Sequence, residues 1–428
     1  MRGPGFPAIW PRIKRLNKDR RRFLSEMSTG ESSGFFNVSR RGLFAGVGAA
    51  GAAAVLASCA EGEGRGGDMP NSSGDIEEKL TVPFDGARQA GIQTPHQSHG
   101  LIVAFDFHNT NSREALRKDL RRLMRVWTPD ARKLTQGNAA LADLEPELNL
   151  QPGNLTITVG WSPALIEKIG SLDEVPKWVS SHTKGLPKFK GDDLDPAFSD
   201  GDVVVQMCGE DLTTLSHAMR VLTRGGRDYV KPRWTQRGFV DIREGQTARN
   251  LMGFKDGTVV PRTDEEFDNA VWDDRNGTSM IVRRVTFDMP GWEALDRESR
   301  ENVFGRKTVS GAPLTGEDEF DDPDLNAVDK TGLPVIDPKS HVGITAGEGK
   351  HMLRRPFNWD GEVNEHGDSG LIFICFQEDP DTSFTPLQHR LAENDRLNQW
   401  ITHTGSGVYW VLPGTEPGSY WGQQILEG

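Results

Sequence analysis

The chain has 428 residues, with 50 Lys and Arg against 62 Asp and Glu, and a formal net charge of −12. Residues 1–58 carry 10 of the basic and 3 of the acidic groups, so residues 59–428 carry 40 basic and 59 acidic groups, a net charge of −19. Such an acidic body disfavours general binding of nucleic acid, because phosphate attraction needs positive charge. Three cysteines exclude a disulfide framework, and no apolar run past residue 60 is long enough to span a membrane.

The segment 39–58 is typical of an export signal. Arg40-Arg41 precedes a weakly apolar stretch of Gly, Ala, Val and Leu that is too short to cross a bilayer. An arginine pair in this place indicates the twin-arginine export route, although Gly42-Leu43-Phe44 departs from the usual pattern. The alternative is a basic N-terminus followed by a core helix, which the many glycines disfavour. We therefore predict that residues 1–58 engage the twin-arginine export machinery.

The end of this signal, Leu56-Ala57-Ser58-Cys59, resembles a bacterial lipobox. In that case Cys59 is acylated and anchors the protein on the periplasmic or extracellular side of the membrane. The alternative is an ordinary cleavage site next to an incidental cysteine, and either Met1 or Met27 could be the true start. Residues 59–81 are polar and rich in glycine, which predicts a flexible linker.

From Val82 onward, strand and helix patterns alternate in the order β-α-β-β-α-β, and the second half repeats this order more loosely. This order predicts an α+β fold of two ferredoxin-like modules with antiparallel sheets, residues 82–250 and 251–428. A long irregular stretch at 305–360 suggests a functional loop. The predicted strands are 101–105, 155–159, 202–208, 238–241, 280–287, 371–377 and 408–412, and the predicted helices are 112–126, 163–169, 211–223, 294–304 and 383–400.

Three local patterns could carry chemistry. In Arg249–Thr258, RNLMGFKDGT, two glycines bracket Asp256. The segment is either a tight Asp-Gly turn or a place where the backbone approaches a flat ligand while Asp256 points into a site. His341 stands without a paired histidine, which argues against zinc. Arg354-Arg355 would by default be a solvated pair.

Ordered motifs run through nearly the whole body of the chain. They are Pro83–Gly86, Gln89–Ile92 with Thr94-Pro95, Arg249–Thr258, Gly305–Lys307, Gly311–Leu314, Ser340–Val342, Leu353–Arg355 and Leu371–Gln377. This set resembles the dye-decolorizing peroxidases, a haem family, and within them the exported deferrochelatase/peroxidase branch. The resemblance implies the same pair of ferredoxin-like modules, with one haem b in the C-terminal half.

The resemblance also implies residue roles. It makes His341 the axial ligand of the haem iron, Asp256 the distal acid and base, and Arg354 the distal arginine. Arg306 would meet a haem propionate, and the backbone of Gly257, Thr258 and Val259 would pass over the haem. After His341 the chain departs from the family pattern, since the loop 343–350 is shorter and lacks an expected arginine. His351 is a weak rival for the axial position.

These roles suit the cleavage of hydrogen peroxide. Asp256 can move a proton, and Arg354 supplies positive charge where negative charge develops. Because a carboxylate works at lower pH than a histidine, we expect an acidic pH optimum. A metal-bound histidine usually donates its other ring N–H to a carboxylate or carbonyl, and Asp395 is a candidate for His341.

The sequence thus indicates an exported haem peroxidase that oxidises dyes or other organic reductants. Two alternatives remain, a deferrochelatase that releases iron from haem and a haem or iron carrier that lacks catalysis. The resemblance also implies a homo-oligomer and partners in an iron-uptake permease, and the acidic charge of the body implies no nucleic-acid partner.

Overall fold

The structure is a computed structural model that describes residues 80–428 apart from 142, 244, 348–350 and 362–367. The predicted export signal, Cys59 and nearly all of the predicted linker lie outside the described residues. Within the described part of the chain, no helix has both the length and the apolar character that crossing a membrane requires.

Helices and strands alternate along the described chain. The strands are β1 His99–Phe107, β2 Thr156–Trp161, β3 Val203–Gly209, β4 Val230–Phe239, β5 Thr278–Phe287, β6 Leu353–Arg354, β7 Phe357–Asp360, β8 Ser369–Gln377 and β9 Ile401–Val411. The α-helices are α1 Arg113–Leu134, α2 Pro163–Ile169, α3 Trp178–Ser181, α4 Leu212–Gly226, α5 Asp264–Ala270, α6 Met289–Glu293, α7 Arg297–Phe304, α8 His341–Thr345, α9 Phe384–Asn394 and α10 Gln423–Glu427. Short 3₁₀ turns lie at Pro146–Asn149, Leu172–Glu174, Pro196–Phe198 and Arg396–Gln399.

These strands form one antiparallel sheet in the order β5-β9-β2-β3-β1-β4-β7-β8-β6. Because β5 also pairs with β8, the order closes on itself, which removes the exposed edges of an open sheet. The two halves of the chain meet where β2 pairs with β9 and where β4 pairs with β7. The predicted α+β fold with antiparallel pairing is confirmed, and the module boundary at residue 250 stays a prediction.

The helix α1 covers one face of this sheet. Its predicted apolar side, Leu116, Leu120, Leu123 and Met124, is buried in the core, and the Ser112 side chain accepts a hydrogen bond from the Ala115 N–H at the first turn. The helix runs eight residues beyond its predicted end at 126 and includes a proline. Trp127, Ala131 and Leu134 are buried in that extension, so their packing outweighs the backbone bond that Pro129 removes.

Other predicted boundaries were wrong where one face of an element is exposed. The fourth strand is β4, not 238–241. Its buried residues Val230, Trp234 and Gly238 are four positions apart and most residues between them are exposed, so the sequence shows no apolar run or period of two. The predicted helix 294–304 ends where predicted but begins later, at Arg297, since the Asp296 side chain caps α7. The helix predicted to end at 400 stops with α9, and the last strand begins at Ile401 rather than Val408.

The stretch 305–360 is not wholly irregular, contrary to the prediction. It contains α8, β6 and β7, elements of two to five residues that are too short to show a periodic pattern in the sequence. The strands β6 and β7 both pair with β8, so they hold the two ends of the segment Leu353–Asp360 against the sheet. All the residues to which the resemblance assigns roles lie on this stretch or in the segment 256–259 before α5.

Candidate active site

Asp256 lies at the end of a tight hairpin. The Asn250 N–H donates to the Phe254 carbonyl at 2.9 Å, and the Asp256 N–H donates to the Ala248 carbonyl at 2.9 Å. Gly253 and Gly257 have φ angles of +94° and +117°, which side chains disfavour, so glycine is required at both positions. The segment is therefore the turn that its glycines predict, and the turn presents a carboxylate.

Two polar side chains hold this hairpin in place. Arg249 donates to the carbonyls of Gly253, Thr308 and Val309 at 2.7 to 2.9 Å, which ties the hairpin to the loop after α7. Asn358 of β7 accepts from the Leu251 N–H at 3.1 Å and donates to the Arg249 carbonyl at 3.0 Å. The position of Asp256 is thus fixed from two sides.

Arg354 faces Asp256 across a short gap. Its Nη2 lies 3.7 Å from the Asp256 Oδ1, and about a quarter of each side chain is exposed, 25% and 23%. The Arg354 Nε is buried and has no hydrogen-bond partner among the described residues. The structure therefore brings together the two residues predicted for the distal side, and Arg354 keeps donor capacity for a further group.

The neighbouring Arg355 contradicts the expected solvated pair. It is 3% exposed, and it donates to the carbonyls of Ile92 and Thr94 and to the Gln97 side chain. Arg354 ends β6 and Arg355 follows it, and the contacts of the two side chains show that they have different surroundings. Arg355 forms hydrogen bonds with the loop before β1, while Arg354 forms an ion pair with Asp256.

Arg306 is held by backbone oxygens and lies close to Arg354. Its Nη1 donates to the carbonyls of Gly311 at 2.7 Å and Glu319 at 2.8 Å. Burial lowers the pKa of Arg306, Glu319 opposes this, and the like charge of Arg354 lowers it further. Two guanidinium groups within electrostatic reach of each other favour an anion between them.

Glu319 is a site residue that the sequence did not reveal. Its carboxylate pairs with Lys255 and accepts from the Thr258 hydroxyl at 3.1 Å, so it holds the residues on both sides of Asp256. Burial alone would raise the pKa of Glu319, but hydrogen bonds from Lys255, Thr247 and Thr258 lower it overall. Its only sequence signal was a place in the long segment after Arg306.

His341 begins the short helix α8. The Ser340 side chain caps this helix and accepts from the Gly343 N–H at 3.1 Å. The His341 Nδ1 donates to the Asp395 Oδ2 at 2.7 Å, which confirms the partner expected from the sequence. Asp395 is buried and also accepts from the Leu397 N–H at 2.8 Å. The His341 Nε2 makes no hydrogen bond to a described residue, whereas His351 is an exposed side chain.

Phe304 joins the His341 helix to the Asp256 hairpin. Its ring stacks on Phe254 with centroids 3.9 Å apart, and its centroid lies 6.0 Å from that of His341. The next residue, Gly305, allows close packing, because a Cβ there would lie 2.9 Å from both Ser340 Oγ and Val342 Cβ. One aromatic side chain therefore sets the spacing of the two halves of the candidate site.

The three residues predicted to pass over the haem differ in their surroundings. Thr258 is 8% exposed and bonded to Glu319, Val259 is 53% exposed, and Gly257 adopts the left-handed backbone noted above. Their contact with a cofactor stays a prediction, and residues 348–350 of the shortened loop lie outside the described part of the chain.

We predict that Glu319→Gln loosens the site and lowers the free energy of unfolding by about 1–3 kcal/mol, because Lys255 loses its charged partner. A lowered pKa stabilises the fold above the ordinary value of 4.5 and loses that effect as the pH falls through the lowered value. The free energy of unfolding, measured with urea, should therefore change less between neutral pH and a pH below about 4 in the variant than in the parent chain.

The matched control for this test is Glu317→Gln. Glu317 also pairs with a lysine, Lys307, at 3.4 Å, but its side chain is 93% exposed. Its stability should stay within about 0.5 kcal/mol of the parent chain. Equal effects of the two substitutions would contradict the role given to Glu319.

Comparison with known proteins identifies the family. The models for the N-terminal and C-terminal parts of Dyp-type peroxidases match residues 89–240 and 247–416. A dye-decolorizing peroxidase of Thermobifida fusca is 33% identical over 91% of this chain and 97% of its own length, and a deferrochelatase of Shigella flexneri is 30% identical over 94% and 100%. The crystal structure of a DyP-type peroxidase from Cellulomonas bogoriensis has a TM-score of 0.77 at 42% identity, covering 82% of this chain and 99% of that one. The chain belongs to the Dyp-type peroxidase family.

Proposed function

We propose that this chain is a haem b peroxidase that reduces hydrogen peroxide and oxidises dyes or other organic reductants. The family supplies the reaction class. The observation that carries the proposal is the pairing of Asp256 with Arg354 in a hairpin that packs, through Phe304, on the helix of His341. An acid–base group, a cation and a free imidazole nitrogen are the groups that peroxide cleavage at haem needs.

The residues of this site fit a haem. No described residue bonds the His341 Nε2, while its Nδ1 is engaged by Asp395, which is the usual arrangement of a metal-binding histidine. Arg306 and Arg354 offer two guanidinium groups, and the buried Nε of Arg354 has no partner in the described part of the chain, which suits the carboxylates of a porphyrin. Haem, when bound, supplies the iron at which the peroxide bond is cleaved.

The chain's own residues supply proton transfer and charge. Asp256 would take a proton from the proximal oxygen of hydrogen peroxide and return it to the oxygen that leaves as water. Arg354 would stabilise the negative charge that develops as the bond stretches. Because the hairpin is tied down by Arg249 and Asn358, the carboxylate needs little reorganisation to act.

Asp256→Asn and Arg354→Leu should each lower kcat/KM for hydrogen peroxide by about 10²–10³-fold while the haem absorbance persists. Steady-state dye oxidation and the visible spectrum of each purified variant measure the two effects. The matched controls are Asp241→Asn and Arg243→Leu, members of an ion pair that is 68% exposed on both sides. Full turnover in both site variants would contradict the mechanism and favour a carrier that needs only His341.

A second candidate function is the release of iron from haem, because curated relatives 30–31% identical to this chain carry the name deferrochelatase. This role would use the same site and leave the porphyrin ring intact. We expect incubation with haem to yield little free protoporphyrin, which fluorescence after extraction detects. Stoichiometric protoporphyrin together with released iron would make the deferrochelatase role the main one.

We also propose that the protein is exported and lipid-anchored, supported by Arg40-Arg41 and by Cys59 at the end of the signal. This proposal includes contact with the twin-arginine machinery, a place beside an iron-uptake permease and self-association. Changing Arg40-Arg41 to Lys-Lys should leave the protein in the cytoplasmic fraction, and Cys59→Ser should move it from membranes to the soluble exported fraction. Unchanged fractionation of both variants would contradict the export route and the anchor.

A further inference from the structure

A small pocket lies beside Asp256 on the side of the loop that precedes β1. The polar side chains that line it are His96, Arg249, Asn250, Asp256 and Asn358. Apolar residues, among them Leu371, form the rest of the wall. The pocket therefore connects the carboxylate of the proposed acid–base group with a histidine from a distant part of the chain.

Most hydrogen-bonding capacity in this wall is used within the protein. Arg249 and Asn358 bond to backbone groups of the hairpin, and the Asn250 Oδ1 accepts from the Phe254 N–H at 3.2 Å. The Nε2 of His96 differs from these groups, since it is buried and has no hydrogen-bond partner among the described residues. A buried polar atom without a partner is costly unless a bound molecule satisfies it.

The loop of His96 is held rigidly. Arg355 donates to the backbone carbonyls of Ile92 and Thr94 before His96 and to the Gln97 side chain after it. The imidazole also packs edge-on against Phe357, with centroids 4.8 Å apart. Since Arg354 at the end of β6 pairs with Asp256, this arginine and the next residue, Arg355, hold the two polar groups that share the pocket.

His96 stays neutral at ordinary pH. Burial, reinforced by the positive charge of Arg355, lowers its pKa to about 3. A neutral imidazole has one donor and one acceptor nitrogen, so Nε2 can pair with either the hydrogen or the lone pair of a hydroxyl group. A neutral His96 forms no ion pair with the Asp256 carboxylate. An uncharged molecule can therefore lie between the two side chains.

We propose that His96 and Asp256 bind one small hydroxylic molecule in this pocket, water or incoming hydrogen peroxide, and that His96 positions it for proton exchange with the Asp256 carboxylate. This inference rests on the proposed function, in which Asp256 is the acid–base group. It assigns His96 as a positioning residue, which orients the molecule without itself reaching the reacting oxygen atoms.

A high-resolution crystal structure tests the binding directly. We expect an ordered oxygen within about 2.6–3.2 Å of the His96 Nε2, even in protein without haem. A dry pocket at Nε2 would overturn the inference. This result does not depend on turnover, so it separates the inference from the proposed function, which fails if the haem-loaded wild-type protein has no peroxidase activity.

Kinetics of His96→Phe and His96→Gln show what the bound molecule is. Loss of one hydrogen bond in His96→Phe should change either KM for peroxide or kcat roughly tenfold. His96→Gln, which can still form a hydrogen bond, should have a value close to that of the parent chain. A raised KM for peroxide with an unchanged KM for dye identifies the molecule as peroxide. A lowered kcat with a changed solvent isotope effect and an unchanged KM identifies it as water.

The matched control is His99→Phe, because the His99 Nδ1 is likewise buried without a described partner but His99 does not line the pocket. Its kinetic constants should match those of the parent chain. Unchanged constants in a folded His96→Phe, or equal effects at His96 and His99, would overturn the proposal. Should His96→Phe fail to fold, the crystal structure of the wild-type protein decides, through the presence or absence of an ordered oxygen at the His96 Nε2.

Discussion

The hydrogen bond from the His341 Nδ1 to the Asp395 carboxylate, 2.7 Å long, determines which ring nitrogen is available for a ligand. A carboxylate only accepts, so Nδ1 carries the proton and Nε2 presents its lone pair. Asp395 is fixed in turn, because it caps the 3₁₀ turn Arg396–Gln399 and accepts from the Leu397 N–H. The same bond sets the plane of the imidazole ring. Without this bond, Nδ1 would no longer be fixed as the protonated nitrogen, and the case for a haem iron at Nε2 would be weaker.

The rest of the site is spaced from this histidine by packing rather than by direct bonds. Phe304 contacts both the ring of His341 and that of Phe254, two residues before Asp256. Glu319 then holds Lys255 and Thr258 on either side of the carboxylate. The closed antiparallel sheet supplies the frame, since β6 and β7 bring their polar side chains to β8 without an independent core of their own. The chemistry therefore depends on side chains that short elements carry on a rigid sheet.

Elements with strong periodicity could be predicted from the sequence, and so could the partner of His341. The buried runs of β1, β3, β5 and β8 and the apolar side of α1 are local patterns, which need no knowledge of tertiary contacts. By contrast, β4 was misplaced because its exposed face is polar, and Arg355 was assigned to solvent although it is 3% exposed. Its burial requires carbonyl groups more than 250 residues away in the chain, which no local pattern contains. The role of Glu319 and the pocket at His96 also depend on contacts distant in the chain, so the sequence pattern does not predict them. The pairing of Asp256 with Arg354 is predicted only by the family resemblance.

The most direct measurement is resonance Raman spectroscopy of the haem-loaded ferrous protein, with and without ¹⁵N-labelled histidine. The account predicts an iron–imidazole vibration that shifts on labelling, disappears in His341→Ala and persists in His351→Ala, whose side chain is exposed. It also predicts a lower frequency in Asp395→Asn, because the axial imidazole loses its charged partner. A labelled vibration that survives in His341→Ala would contradict the assignment of this histidine and the site built on it.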